Sequence, residues 1–278
     1  MLFDTHLHLI YRDRLDYPWL SDVEALNRDS RFDTYSRDAA RLGIEGCLHM
    51  EVDVAEPLIE DETRMIEELM AEPESLLRGA ISSCRPEHTD FPAFLERAAS
   101  NPSVKGLRRV LHVVPDETST TATFRDNIRR MAGTGLTFDL CVFPRQHNLA
   151  LELVDHCPDV QFVLDHCGVP DVAAQSFDPW REGIKALSQR PNVAAKISGV
   201  IAYGDPQSWT LEDIRPYVDE TAAAFGSDRI VWGSDSPVCN LGGGLAIWVA
   251  ATHNLTARWS DDERNALYRN NACRLWHL

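Results

Sequence analysis

Two histidines close to the start of the chain have the spacing of a metal site or a carbonyl-binding site. They lie in the segment Asp4-Thr5-His6-Leu7-His8. Alternate side chains of an extended strand face the same way, so Asp4, His6 and His8 are expected to share one face. Two imidazoles at this spacing converge on one point, which suits a metal ion or a carbonyl oxygen. The alternative is a histidine pair that is satisfied by the backbone and by water.

Two later segments also end an apolar run in groups that can do chemistry. Asp165 and His166 follow one such run, and Asp235 follows another. A single carboxylate at a strand end could simply cap the next helix. Taken together, however, the three segments supply three imidazoles and a carboxylate, and the carboxyl ends of strands are where a barrel places its active site. The candidate catalytic residues are His6, His8, His166 and Asp235.

These residues need strands to position them, and the hydrophobic pattern predicts eight. Short apolar runs rich in Val, Ile, Leu and Phe are typical of strands buried on both faces. The runs are 2–9, 46–52, 79–82, 104–111, 136–143, 160–167, 193–201 and 229–233. Helical periodicity fills the intervening stretches, which are 32–43, 60–71, 90–100, 122–132, 145–156, 180–189, 211–225 and 245–254. Ser260 followed three residues later by Glu263 predicts the start of a last helix.

Eight strand–helix pairs predict an α/β fold: a single (β/α)8 TIM barrel spanning 1–278. A doubly wound open sheet gives the same alternation and is the alternative. The count of eight and the polar residues at the strand ends favour the barrel, and no GxGxxG or Walker pattern follows the first strand. The segment 10–31 is too long for an ordinary loop and is expected to form a lid over the site. The alternative is a surface excursion packed by its own aromatic side chains.

Composition restricts the partners. The 278 residues carry 27 basic and 43 acidic side chains, a net charge of −16, which argues against nucleic acid. No apolar run is long enough to span a membrane, and no secretory signal is visible. The seven cysteines form no CxxC pair, which indicates buried free thiols in a reducing cytoplasm. The expected partner is therefore a small-molecule substrate met in the cytoplasm.

A series of short motifs in one order resembles the amidohydrolase superfamily. They are DTHLHL at 4–9, YPWL at 17–20, KGLR at 105–108, FDL at 138–140, LDHCG at 164–168, KISG at 196–199 and WGSD at 232–235. The similarity covers essentially the whole chain and lies with the amidohydrolase-2 branch. Within that branch the chain is most similar to the lactonase group, which contains sugar-acid lactonases, pyrone-dicarboxylate lactonases and sulfomuconolactone hydrolases.

The resemblance implies at most one metal ion. Binuclear members of the superfamily carry a bridging Lys or Glu at the fourth strand and a His at the fifth. Here the fourth strand ends in Arg108 and Arg109, whose charges would repel a second cation, and the fifth ends in Leu140 and Cys141. Relatives of the lactonase type include some that hold one zinc and some that work without metal. The implied ligands of a single Zn²⁺ are His6, His8, His166 and Asp235. Glu51 is either an extra ligand or a solvated loop acid.

The implied reaction is the hydrolysis of a lactone, with roles that follow from residue chemistry. Asp235 is the expected base for the attacking water, and the three histidines polarise the carbonyl directly or through the metal. Arg108 and Arg145 are expected to bind polar or anionic groups of the substrate, and Trp19 to contact it from the lid. Lys196 either reaches the substrate or pairs with a barrel carboxylate such as Asp139.

Two other functions remain open at this point. A metal-dependent non-oxidative decarboxylase of an aromatic or muconate-type acid is the other large activity in this branch. A barrel that binds without catalysing a reaction is the third hypothesis. The four polar groups at the strand ends argue against that third hypothesis.

Overall fold

The computed structural model describes residues 1–278, which form eight parallel strands in the order β1 to β8. The strands are β1 Leu2–Leu7, β2 Ile44–Met50, β3 Leu77–Ser83, β4 Val104–Val110, β5 Thr137–Cys141, β6 Phe162–Leu164, β7 Val193–Ser198 and β8 Ile230–Gly233. The two edges meet beyond β8, where the Asp235 N–H donates to the His6 carbonyl (2.8 Å) and Leu7 bridges Ser236. The predicted barrel is therefore confirmed, and the alternative of an open sheet is wrong.

Helices surround the strands, as the periodicity predicts. They are α1 Phe32–Arg41, α2 Ile59–Met70, α3 Phe91–Ser100, α4 Ala122–Arg129, α5 His147–His156, α6 Phe177–Ser188, α7 Leu211–Phe225, α8 Leu245–Leu255, α9 Asp261–Asn265 and α10 Asn271–Trp276. A π-helical turn joins α9 to α10. The Ser260 hydroxyl accepts from the Glu263 N–H (3.2 Å), so the predicted start of the last helical segment is confirmed. No helix combines the length and the apolar character needed to cross a bilayer.

The barrel interior is layered from an apolar floor to a polar mouth. Trp276 of α10 packs against inward-facing residues of several strands, including Phe3 and Met50. Its indole N–H donates to Thr137 Oγ1 (3.0 Å), which fixes α10 under the barrel. Above this floor lies the buried side chain of Lys196, and the polar groups of the mouth follow. The floor closes the amino end of the barrel, so ligands have access only from the carboxyl end.

The first strand departs from regular alternation. Between Asp4 and Leu7 it advances three residues while β2 advances two, which is the signature of a bulge. Asp4 consequently points outward, where the Tyr35 hydroxyl of α1 donates to its Oδ2 (2.7 Å). The expectation that Asp4 shares a face with His6 is wrong for this reason.

The segment 10–31 is closed at its neck and touches the loop after β2. Ile10 and Ser30 exchange two backbone hydrogen bonds of 3.0 Å, and two short 3-10 helices, Pro18–Asp22 and Glu24–Leu26, lie between them. The Trp19 indole donates to the Val52 carbonyl (2.8 Å). A cavity of about 340 Å³ lies beside this contact, lined on the barrel side by residues that include Arg85 and Arg109. The segment therefore packs against the loop after β2, and its role as a lid over the site stays a prediction.

All seven cysteines are free thiols, and six of them are buried.

Candidate active site

The four predicted catalytic residues meet at the carboxyl end of the barrel. His6 Nε2 and His8 Nε2 lie 3.2 Å apart. Asp235 Oδ1 is 3.3 Å from His8 Nε2 and 3.7 Å from His6 Nε2, and its Oδ2 is 3.7 Å from His166 Nδ1. All four residues are buried. The structure thus brings together side chains from three strand ends that are far apart in sequence.

Burial keeps the three imidazoles neutral. It lowers the pKa of His8 to about 3, with Arg108 acting in the same direction. Burial also lowers the pKa of His6 well below the ordinary value, and the pKa of His166 below it. A neutral imidazole has one N–H and one lone pair, so each ring offers one donor and one acceptor to its surroundings.

The backbone turns sharply where His166 and Asp235 leave their strands. His166 has φ 53° and Asp235 has φ 57°, both in the left-handed region that side chains other than glycine rarely adopt. The predicted strand over 160–167 is therefore shorter than expected and ends at Leu164. The turn brings His166 Nδ1 to 2.9 Å from the Ser198 hydroxyl. These turns direct both side chains into the mouth instead of along the strand.

Arg108 is held by two carboxylates. Its Nε donates to Glu51 Oε1 (2.6 Å), and one terminal nitrogen donates to Asp165 Oδ2 (3.3 Å). Burial would raise the pKa of Glu51, but Arg108 outweighs it and the pKa is lowered. Glu51 is fully buried, and its other oxygen accepts from the Asp53 N–H (2.7 Å). Glu51 is therefore neither a solvated loop acid nor within any of the potential metal-ligand groups; it anchors Arg108.

Lys196 lies deeper, between two carboxylates and a histidine. Its ammonium is 2.6 Å from Asp139 Oδ2, 3.0 Å from Asp165 Oδ1 and 3.2 Å from His6 Nδ1. Burial opposes ionisation of Asp165, yet Lys196 holds its pKa well below the ordinary value. Of the two roles predicted for Lys196, the structure has the pairing with Asp139.

The mouth carries an excess of negative charge. Four buried carboxylates stand against two buried cations; they are Glu51, Asp139, Asp165 and Asp235 against Arg108 and Lys196. Burial raises the pKa of Asp235 to about 6 and the pKa of Asp139 to about 7, although the nearby cations act against it. Asp235 Oδ2 is buried and accepts no hydrogen bond. Protonation or a bound cation would relieve the excess.

The donor atoms fit a single divalent ion. The separations of 3.2, 3.3 and 3.7 Å among His6 Nε2, His8 Nε2 and Asp235 Oδ1 resemble the edges of a tetrahedron. For zinc with ligands at about 2.0–2.1 Å, those edges are about 3.3 Å. His166 joins a second potential ligand group, with His6 and Asp165. Three of the four predicted metal ligands therefore share one potential site, and the fourth lies beside it.

Of the two arginines predicted to bind substrate, the structure places only Arg108 in the barrel mouth. Arg108 points into the mouth as expected, but Glu51 and Asp165 occupy much of its guanidinium. Arg145 is 57% exposed and pairs with Asp116 (2.6 Å), and none of its contacts joins the cluster. Arg109 pairs with Glu87 (2.9 Å) and lines the cavity beside Trp19.

Two residues of the site were not predicted to take part in it. Asp165 links Arg108 to Lys196, and its position next to His166 at a strand end was the available signal. Tyr203 follows β7 and meets the His166 ring edge to face, with centroids 5.9 Å apart. No spacing rule points to Tyr203, because it lies on a short 3-10 helix after β7 and not on a strand.

Known proteins resemble this chain along its whole length. Residues 3–278 match the family model described as amidohydrolase. An L-fucono-1,5-lactonase from Burkholderia ambifaria is 26% identical over 281 residues, which cover 99% of this chain and 95% of the relative. An amidohydrolase from Burkholderia multivorans, solved with bound zinc, superposes with a TM-score of 0.88 at 25% identity, covering 100% of this chain and 99% of that one.

A 5-carboxyvanillate decarboxylase from Sphingomonas paucimobilis has a TM-score of 0.66 at 15% identity, covering 100% of this chain and 99% of its own, a likeness in fold alone. The predicted resemblance is confirmed by a family match that begins at Phe3, on the strand that carries the histidine pair, and runs to the last residue. The chain belongs to the amidohydrolase family.

Proposed function

We propose that this protein hydrolyses lactones, with Asp235 as the base that activates water. The observation that carries the proposal is the Asp235 carboxylate itself. It is buried among three neutral imidazoles, and one of its oxygens has no hydrogen-bond partner. With a pKa of about 6, this carboxylate is mostly ionised at neutral pH and still basic enough to accept a proton.

The reaction then needs few steps. Asp235 Oδ2 takes a proton from water as the water oxygen bonds to the lactone carbonyl carbon. The carbonyl oxygen becomes an oxyanion, which the imidazoles of His6, His8 and His166 face. As the carbonyl re-forms, the ring C–O bond breaks and Asp235 returns its proton to the leaving alkoxide. Atoms and charge balance: one water is consumed and one hydroxy acid is formed.

A divalent ion held by His6, His8 and Asp235 would supply Lewis-acid polarisation of the carbonyl. The role of Asp235 as proton carrier would then depend on its second oxygen, which points away from the two histidines and towards His166. The relative solved with bound zinc supports a divalent ion at this site.

The charges around the mouth favour an uncharged, hydroxylated lactone. Five basic side chains around the barrel mouth each pair with a carboxylate; they are Arg85, Arg108, Arg109, Arg145 and Lys196. A carboxylate on the substrate would have to displace one of these partners in a site that already has excess negative charge. Hydroxyl groups, in contrast, add no negative charge and can donate to carboxylate oxygens. The lactonase named above supports the same class.

A lactone panel tests the proposal. Neutral aldonolactones and carboxylated muconolactones are incubated with the protein in weak buffer containing a pH indicator, with and without added Zn²⁺. Acid release above that of the Asp235→Asn control is expected, fastest with the neutral lactones. No acid release from any lactone, together with CO₂ release from hydroxybenzoates, would identify a decarboxylase instead. Inactivity in both assays would support a barrel that only binds.

A further inference from the structure

Lys196 makes three contacts that it can only make as a donor. An ammonium group carries three protons and has no lone pair. Its neighbours are Asp139 Oδ2 at 2.6 Å, Asp165 Oδ1 at 3.0 Å and His6 Nδ1 at 3.2 Å. The two carboxylates favour its charged form. Because Lys196 can only donate, a hydrogen bond across the 3.2 Å to His6 Nδ1 needs a lone pair on that nitrogen.

We propose that Lys196 is a positioning residue that holds His6 as the tautomer with its proton on Nε2. His6 then presents an N–H donor, and not a lone pair, towards His8, Asp235 and the substrate.

His8 has the complementary arrangement. Its Nδ1 lies 3.0 Å from the Met50 carbonyl and 3.1 Å from the Glu51 carbonyl. A carbonyl oxygen only accepts, so the proton of this neutral ring is on Nδ1 and Nε2 holds the lone pair. His6 Nε2 can therefore donate across the 3.2 Å that separates the two rings. With the opposite tautomer of His6, two lone pairs would face each other at this distance.

Two longer contacts favour the opposite tautomer. Asp165 Oδ1 lies 3.4 Å from His6 Nδ1 and could accept a proton there. A terminal nitrogen of Arg108 lies 3.5 Å from His6 Nε2 and could donate to a lone pair. Both contacts are longer than the lysine contact, and the same arginine nitrogen lies closer, at 3.3 Å, to Asp165 Oδ2. In the shorter set of contacts every donor faces an acceptor. His6 Nδ1 accepts from Lys196, and His6 Nε2 donates to His8 Nε2.

The proton on His6 Nε2 also affects metal binding at this site. His6 can bind an ion through Nε2 only after that proton has moved to Nδ1, where it faces the lysine ammonium. Lys196 is therefore expected to weaken metal binding. A lactone carbonyl oxygen that replaces His8 Nε2 as the acceptor would receive the same proton, and His6 would then donate to it directly. This second role rests on the proposed lactone hydrolysis, whereas the tautomer itself does not.

Nitrogen NMR of the zinc-free wild-type protein tests the tautomer directly. Histidine is labelled with ¹⁵N, and the His6 signals are assigned by their absence from a His6→Asn variant. A protonated Nε2 and an unprotonated Nδ1 are expected. A protonated Nδ1 would overturn the proposal, and so would signals averaged between the two tautomers. Neither result depends on turnover or on the folding of a lysine variant.

A paired substitution tests the role of Lys196. The double variant Lys196→Met with Asp139→Asn removes one buried charge of each sign and keeps the side-chain volumes similar. The His6 proton is expected to move to Nδ1 and face Asp165, an arrangement in which carboxylates support histidine ligands. Zinc affinity, measured by competition with a chromogenic chelator, should then rise about tenfold. The single variant Asp139→Asn keeps Lys196 and should keep the wild-type tautomer.

The double variant contradicts the proposal if its His6 tautomer and its zinc affinity match those of Asp139→Asn. Failure of the lactone panel with the expected NMR result would instead leave the tautomer assignment standing and overturn only the proposed reaction.

Discussion

Asp235 is a carboxylate whose surroundings change its chemistry. Water would keep an ordinary aspartate ionised and weakly basic, whereas burial at the barrel mouth raises the pKa of Asp235 to about 6. One oxygen faces His8 at 3.3 Å, and the other is left without a hydrogen-bond partner. An unpartnered buried carboxylate oxygen costs stability, which is typical of a group kept for function.

Replacing this carboxylate by an amide should abolish turnover. Asp235→Asn keeps the shape but cannot accept a proton from water, so kcat/KM should fall by about 10³-fold or more. Thermal unfolding should stay close to that of the wild type, because the change removes a buried charge without leaving a cavity. Retention of more than a tenth of the activity would remove Asp235 as the base.

The pH profile should report the same group. In chelator-treated enzyme, kcat/KM requires the ionised form of Asp235, so it should rise with pH and level off above about 6. Below that pH the rate should fall about tenfold per unit, since the ionised fraction does so. Initial rates from pH 4.5 to 8 measure this, at each pH on protein shown to be folded by circular dichroism. A rate independent of pH over this range would contradict the assignment.

At the scale of elements, the loop after β7 leaves room for the loop after β8. A Cβ atom on Gly199 would lie 2.3 Å from Asp235 Oδ2 and 2.4 Å from Asp235 Cβ. Gly199 also has φ 57°, in the left-handed region. The missing side chain thus allows the Asp235 carboxylate to lie directly against this loop.

Adding one methyl group at this contact should displace the carboxylate. Gly199→Ala is expected to reduce kcat/KM at least tenfold more than Gly133→Ala does. The control has a comparable backbone angle, φ 77°, but no atom within 4 Å of its added Cβ. Backbone strain of about 1 kcal/mol should be common to both variants. Equal activity in the two variants would show that the close approach to Asp235 is unimportant.

At the scale of the whole molecule, buried neutral histidines make the free energy of unfolding depend on pH. His147, at the start of α5, is 2% exposed, and burial lowers its pKa to about 4. The unfolded chain binds a proton near pH 6.5, before the folded protein does. Stability is therefore fully present above pH 6.5 and is lost progressively as the pH falls towards 4.

Removing this imidazole should make the protein less sensitive to acid. Between pH 7 and pH 5 the wild type should lose about 2 kcal/mol more unfolding free energy than His147→Gln. The glutamine can still donate to the Gly168 carbonyl, which His147 contacts at 3.0 Å. Urea denaturation at both pH values measures the difference, with exposed His277→Gln as the control. The same pH dependence in all three proteins would contradict the prediction.

The sequence alone predicts the barrel and the residues that meet at its carboxyl end. Continuous apolar runs in the sequence indicate eight buried strands, since both faces of such a strand are covered. The carboxyl ends of parallel strands meet in a barrel, so His6, His8, His166 and Asp235 could be grouped without coordinates.

Only the tertiary structure determines which of these side chains are in contact, and therefore their charge states and the positions of their protons. The bulge in β1 that turns Asp4 outward depends on its register against β2, which no single strand encodes. The pairing of Arg108 with Glu51, and of Lys196 with Asp139, joins residues 57 positions apart. Charge state, tautomer and free lone pairs depend on distances of about 3 Å between such residues. Periodicity along the chain sets the face that a side chain occupies, whereas packing between strands sets those distances.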